Sequence, residues 1–159
     1  MANSDTQLTI DQFITYRILA LTSSLNRQAI QILDAACGLR LPEWRCMAII
    51  GRSGELSLHS VSDVIGMDPG LVSRSIKSLV KQGLVITERD GNDGRVVRAR
   101  LTDEGSKMFE NTFPVMQRRQ QRLLQSLSPE DREAFYRIMD CLKSSLDEWE
   151  TEWKSNEAG

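Results

Sequence analysis

The chain has no apolar run longer than about five residues, Met47-Ala48-Ile49-Ile50 being typical. A helix that crosses a bilayer needs about 20, so no membrane partner is expected. Its start, Met1-Ala2-Asn3-Ser4-Asp5, lacks the basic residues and apolar core of a secretory signal, from which a cytoplasmic location is expected. Histidine is nearly absent: His59 stands alone, so no nitrogen-rich metal cluster can form within one chain. The three cysteines, Cys37, Cys46 and Cys141, are odd in number and show no Cys-x-x-Cys spacing, which excludes a complete disulfide framework and disfavours thiolate ligation. They read as reduced buried thiols; if one senses redox state, Cys46 is the pick. No Gly-rich phosphate loop and no paired catalytic carboxylates are found, so no cofactor, metal or enzymatic activity is expected. An enzyme would have to use His59 with Asp63, or Cys46 with a distant partner.

What is there suits one compact unit, or one small domain with helical extensions: 159 residues, 40% hydrophobic and 26% charged. The net charge of −2 argues against a nucleic-acid partner until its distribution is considered. Between positions 69 and 100 stand Arg74, Lys77, Lys81, Arg89, Arg95, Arg98 and Arg100 against Glu88, Asp90 and Asp93, a local balance of +4, leaving −6 for the remainder. Attraction to phosphate acts over about a Debye length, so a cationic face is enough to hold DNA.

Hydrophobic spacing and breakers give the order of elements. Leu8, Ile10, Phe13, Ile14, Ile18, Leu21, Leu25, Ile32 and Leu33 recur at helical period, predicting one helix from Leu8 to about Ala36, closed by Gly38. Pro42 opens a second helix that runs to Gly51 on the apolar face of Leu41, Trp44, Met47, Ala48 and Ile50. After a Gly51-Arg52-Ser53-Gly54 break, a short helix spans about Ser60 to Ile65 and stops at Gly66. Asp68-Pro69 is a strong start for the next helix, which runs to about Gln82 with Leu71, Ile76, Leu79 and Val80 inward and Ser73, Arg74 and Lys77 outward.

Two β-branched runs, Leu84 to Arg89 and Val96 to Leu101, flank a Gly/Asn/Asp cluster and predict a hairpin. Thr102 caps a long helix whose first turns Gly105 weakens. Ser128-Pro129 opens a last amphipathic helix through Phe135, Ile138, Met139, Leu142, Leu146, Trp149 and Trp153. A short helix, a tight turn and a cation-bearing helix describe a helix-turn-helix, and the hairpin behind it is a wing. The expected fold class is mainly α with a small β-hairpin wing (α+β), a winged helix-turn-helix with helical arms at both ends.

At this point the sequence resembles the multiple antibiotic resistance regulator (MarR) family. The likeness lies in Leu41-Pro42-Glu43-Trp44-Arg45, in Met67-Asp68-Pro69-Gly70-Leu71-Val72-Ser73-Arg74, and in Gly83-Leu84-Val85. Asp93-Gly94-Arg95 and Leu101-Thr102-Asp103-Glu104-Gly105 complete the set. The outer helices match in length and position only. The resemblance implies a transcription regulator, repression being the family default, that grips a palindromic double-stranded DNA site as a homodimer. Residues 39–103 would be the DNA-binding domain, and 1–38 with 104–159 the dimerisation region.

By position, Pro69, Gly70, Ser73, Arg74 and Lys77 would face the major groove, and Arg95 would enter the minor groove, oriented by an ion pair with Asp93. Arg89 is a further phosphate contact. The resemblance also implies a small-molecule effector, aromatic or acidic, and points to Tyr16, Trp44, Arg45 and Phe109, with Arg45 as the cation. Trp44 as core and Arg45 as the partner of a structural group are the alternatives. The rival functional reading is a winged-helix module that binds protein instead of DNA.

Overall fold

A computed structural model describes residues 9–91 and 93–157. The chain divides into two compact units between Met116 and Gln117. The first begins with a single 3-10 turn, Ile10–Gln12, in which Gln12 turns back to accept the Thr9 amide. Phe13 is extended, so the expected long helix begins only at Ile14: α1 runs Ile14–Ala36. Apolar spacing does not register such a break, because it is a property of the residue types and not of backbone continuity. Leu8 lies outside the described residues.

Next come α2 (Leu41–Ser53), β1 (Leu56–Ser57), α3 (Leu58–Ile65), α4 (Pro69–Lys81), β2 (Val85–Arg89), β3 (Val97–Leu101) and α5 (Asp103–Leu124). Gly51 does not end α2. The helix passes through it and stops at Gly54, whose φ of +80° only glycine adopts easily. Gly51 is a notch instead: a Cβ there would stand 2.8 Å from the ring of Phe109 on α5. The wing is also larger than a hairpin. β1 joins it antiparallel, pairing Leu56 with Ala99 and Ser57 with Arg98, so that β3 is the centre of a β1-β3-β2 sheet. Two residues cannot announce a strand; their pairing partner is remote in sequence.

The core of this unit is one cluster: Leu33 of α1, Trp44, Met47 and Ile50 of α2, Val61 of α3, Val72, Ile76 and Leu79 of α4, and Val85 and Ala99 of the sheet. On α4 the inward face differs from the sequence reading at both ends, since Val72 is buried and Val80 is exposed. The second unit contains the end of α5 and α6 (Pro129–Glu157). Ser128 caps α6, its Oγ accepting the Asp131 amide at 3.1 Å and donating to the Asp131 carboxylate. Most of the apolar residues of α6 stand in the open, Leu146, Trp149 and Trp153 each at least 60% exposed.

Candidate nucleic-acid interface

α4 is fixed at both ends by local chemistry. The Asp68 carboxylate accepts the Leu71 amide at 2.9 Å, Pro69 occupies the first turn where an N–H has no partner, and Gly83 leaves the helix at φ +74°. α3 is held likewise, Ser57 Oγ accepting the Ser60 amide, and Gly66 makes the tight turn between the two helices at φ +67°. Ser62 Oγ, buried, donates to the Met67 carbonyl at 2.6 Å and locks that turn. The helix-turn-helix is therefore specified by caps and glycines, and its second helix is rigidly seated on Val72, Ile76 and Leu79.

Seated that way, α4 holds Arg74 and Lys77 exposed, with Pro69 at its exposed start and Gly70 half-buried. The Arg74 guanidinium folds back over Gly70, where a Cβ would meet it at 3.3 Å, so this glycine keeps the helix start open. Ser73 is half-buried, not fully outward. It lines a cleft of about 250 Å³ between α4 and the sheet, with Lys77, Val80, Thr87 and Val97.

In the wing, Arg89 ends β2 and Arg95 stands at the exposed tip. Asp93 touches Arg95 differently from the expected ion pair: its Oδ1 accepts the Arg95 backbone amide at 3.0 Å. The carboxylate thereby folds the loop, as Asp commonly does two residues on.

The ion pairs decide which cations are left over. Arg98 Nε donates to Asp90 Oδ2 at 2.5 Å and lies 3.7 Å from Glu55; Arg100 reaches Glu88 at 3.4 Å. In the sequence Arg98 and Arg100 stand among the other cations; the pairs that neutralise them form across the sheet, between residues remote in sequence. Among the described residues no ion pair engages Arg74, Lys77, Lys81, Arg89 or Arg95. Pairing thus consumes two of the three local acids and leaves five cations on α4 and the wing.

The other candidates separate. Trp44 is buried, 5% exposed, and stacks on Phe109 with ring centroids 6.2 Å apart; Phe109 in turn meets Phe113 at 5.0 Å. Arg45 Nη2 donates to Asn26 Oδ1 of α1 at 2.8 Å. Tyr16 is half exposed beside Phe13 and lies ten residues before Asn26, about 15 Å along α1, so one chain does not gather all four. His59 and Asp63 form a solvated pair one turn apart on α3. Cys46 is fully buried, and burial pushes its thiol up to about 11. It is protonated at neutral pH, the opposite of what a redox-sensing thiol needs. Of the three cysteines expected to be buried only Cys46 is: Cys37 is half-buried, and Cys141 is exposed on α6.

Helix, turn, second helix and three-stranded wing, in that order, make this a winged helix-turn-helix protein. Residues 38–96, a little over a third of the chain, match the sequence model of the MarR family. A similar curated protein is the uncharacterized HTH-type transcriptional regulator YdgJ of Bacillus subtilis, 22% identical over 113 residues that cover 71% of this chain and 69% of that one. Among solved structures, a MarR/EmrR family regulator from Acinetobacter sp. ADP1 superposes with a TM-score of 0.82 at 22% identity, over 89% of this chain and 99% of the other. Sco3205, a MarR family regulator from Streptomyces coelicolor solved in complex with DNA, superposes at 0.78 with 21% identity, over 91% and 93% of the two chains. No helix of the described residues is long and apolar enough to cross a membrane.

Proposed function

We propose that two copies of this chain bind a palindromic duplex site, each laying α4 in a major groove and its wing tip against the adjacent minor groove. The observation that carries this reading is the charge partition: Asp90 and Glu88 neutralise the arginines on β3, and among the described residues five cations on α4 and the wing have no ion-pair partner. Arg74, Lys77, Ser73, Pro69 and Gly70 would contact the major groove, Arg89 a phosphate, and Arg95 the minor groove, with Asp93 folding the tip. Sco3205, of the same fold, was solved on DNA.

Homodimerisation supplies the two-fold symmetry of the site and a cover for Ile14, Ile18, Leu21, Leu146, Trp149 and Trp153, all more than a third exposed in the single chain. Two recognition helices would then lie about 34 Å apart, one DNA turn. A dimer on a promoter excludes polymerase, so repression is the proposed outcome. Release by an aromatic or acidic small molecule near Trp44, Arg45 and Phe109 is the proposed control.

The experiment is titration of duplex from the protein's own promoter region across a salt series. Several phosphate contacts per subunit predict a steep linear fall of log affinity with log salt. Arg89→Ala should flatten that slope by about 2 per dimer, and Arg95→Ala should weaken binding without moving the melting temperature. A shallow slope unaffected by either substitution would remove DNA as the partner.

A further inference from the structure

Arg98 lies at the centre of the sheet, paired with Ser57 of β1 on one side and Glu88 of β2 on the other. Its guanidinium faces two carboxylates from different parts of the chain: Asp90, directly after β2, and Glu55, directly before β1. Asp90 is the more enclosed, its side chain 14% exposed against 43% for Arg98. Hydrogen bonding and charge from Asp90 raise the Arg98 pKa further above its ordinary value, so this cation is held at the wing's root.

Asp90 does more than neutralise it. The second carboxylate oxygen accepts the Asp93 amide at 3.2 Å, while the Asp90 amide donates to the Val96 carbonyl at 2.8 Å. Asp93 passes the constraint on, its carboxylate accepting the Arg95 amide and its carbonyl accepting the Val96 amide at 2.9 Å. A continuous run of polar contacts therefore leads from Glu55, beside the helix-turn-helix, through Arg98, Asp90 and Asp93 to the backbone of Arg95. The described tip residues Gly91, Asp93, Gly94 and Arg95 are all exposed, so polar contacts and not burial hold its shape.

We propose that Asp90 and Arg98 are positioning residues for DNA recognition, forming a strut that fixes the wing tip so that Arg95 is held ready for the minor groove. The inference rests on the reading that Arg95 enters that groove. It assigns Asp90, an acidic residue on a DNA-facing wing, a role that improves binding. Ordinary electrostatics gives Asp90 the opposite sign, since removing its charge would leave Arg98 free to attract phosphate.

That opposition is the test, made on the full-length protein as Asp90→Asn and Arg98→Gln. Two measurements are needed: amide exchange at Asp93, Arg95 and Val96 in the free protein, and affinity with groove-resolved footprinting on the promoter duplex. The strut predicts at least tenfold faster exchange at those amides in both variants. It also predicts about tenfold weaker binding in both, with minor-groove protection lost and major-groove protection kept. Tighter binding by Asp90→Asn, with only Arg98→Gln weakened, would make Arg98 a phosphate contact and overturn the proposal. Exchange rates equal to wild type would overturn the strut whatever the DNA result. A wild-type protein that protects no duplex would instead bring down the DNA reading, and the strut's part in recognition with it.

Discussion

Gly105, in the first turn of α5, lies so close to Leu84 that a Cβ there would be 2.0 Å from the Leu84 carbonyl oxygen. The same oxygen accepts the Thr102 amide at 3.1 Å, and Thr102 Oγ1 donates to the Gly83 carbonyl while accepting the Gly105 amide. Thr102 and Gly105 thus lock the end of β3 and the start of α5 to Gly83 and Leu84, in the segment that leaves α4. The sequence alone presents Gly105 only as a weak helix former. Its lack of a side chain is what lets the end of α4, the wing and α5 converge.

Gly105→Ala should therefore destabilise the protein although alanine favours helix by up to about 1 kcal/mol. Overpacking typically costs 1–3 kcal/mol, and a clash with backbone belongs at the upper end, about 3 kcal/mol. Urea denaturation at fixed protein concentration measures it. A stabilised variant would mean that the backbones do not meet there.

Cys46 predicts a pH dependence. Its thiol sits at about 11 when folded and near 9 when free, so the unfolded chain ionises first as pH rises. Stability from this group is intact below pH 9 and declines between 9 and 11, by about 2 kcal/mol at the top of the window. The stability gap between the wild type and Cys46→Ala should narrow over that interval and stay constant between pH 6 and 8. A constant gap throughout would contradict the assignment.

Leu142, Leu146, Trp149 and Trp153 recur on one stripe of α6, and the last three are largely exposed. Trp149→Glu should raise the dimer dissociation constant at least tenfold and make the melting temperature fall on dilution, as sedimentation velocity and thermal scans would record. An unchanged sedimentation coefficient at every concentration would assign this stripe some other cover.

Arg45 donates to Asn26, a contact worth about 1 kcal/mol, and this sets the expectation for the effector. A panel of benzoates should raise the melting temperature of the wild type but not of Arg45→Ala, whose own melting temperature falls only a few degrees. If the ligand-induced rise persists in the variant, Arg45 serves α1 and nothing more.

Wherever neighbours in sequence control the physics, the chain could be read directly. Asp68-Pro69, Gly66 and Gly83 state where helices begin and turn, because capping and positive φ depend on a few adjacent residues. The winged helix-turn-helix and its cationic stretch were legible on that basis. The break at Phe13, the strand at Leu56–Ser57 and the notch at Gly51 were not, since each answers to a partner or a backbone turn that spacing does not encode. The charges divide in the same way. The sequence alone determined how many cations stand between positions 69 and 100; only the folded sheet decided which remain available, by setting Asp90 and Glu88 against Arg98 and Arg100. Coulomb attraction depends on distance through space, and in this wing the sheet sets that distance.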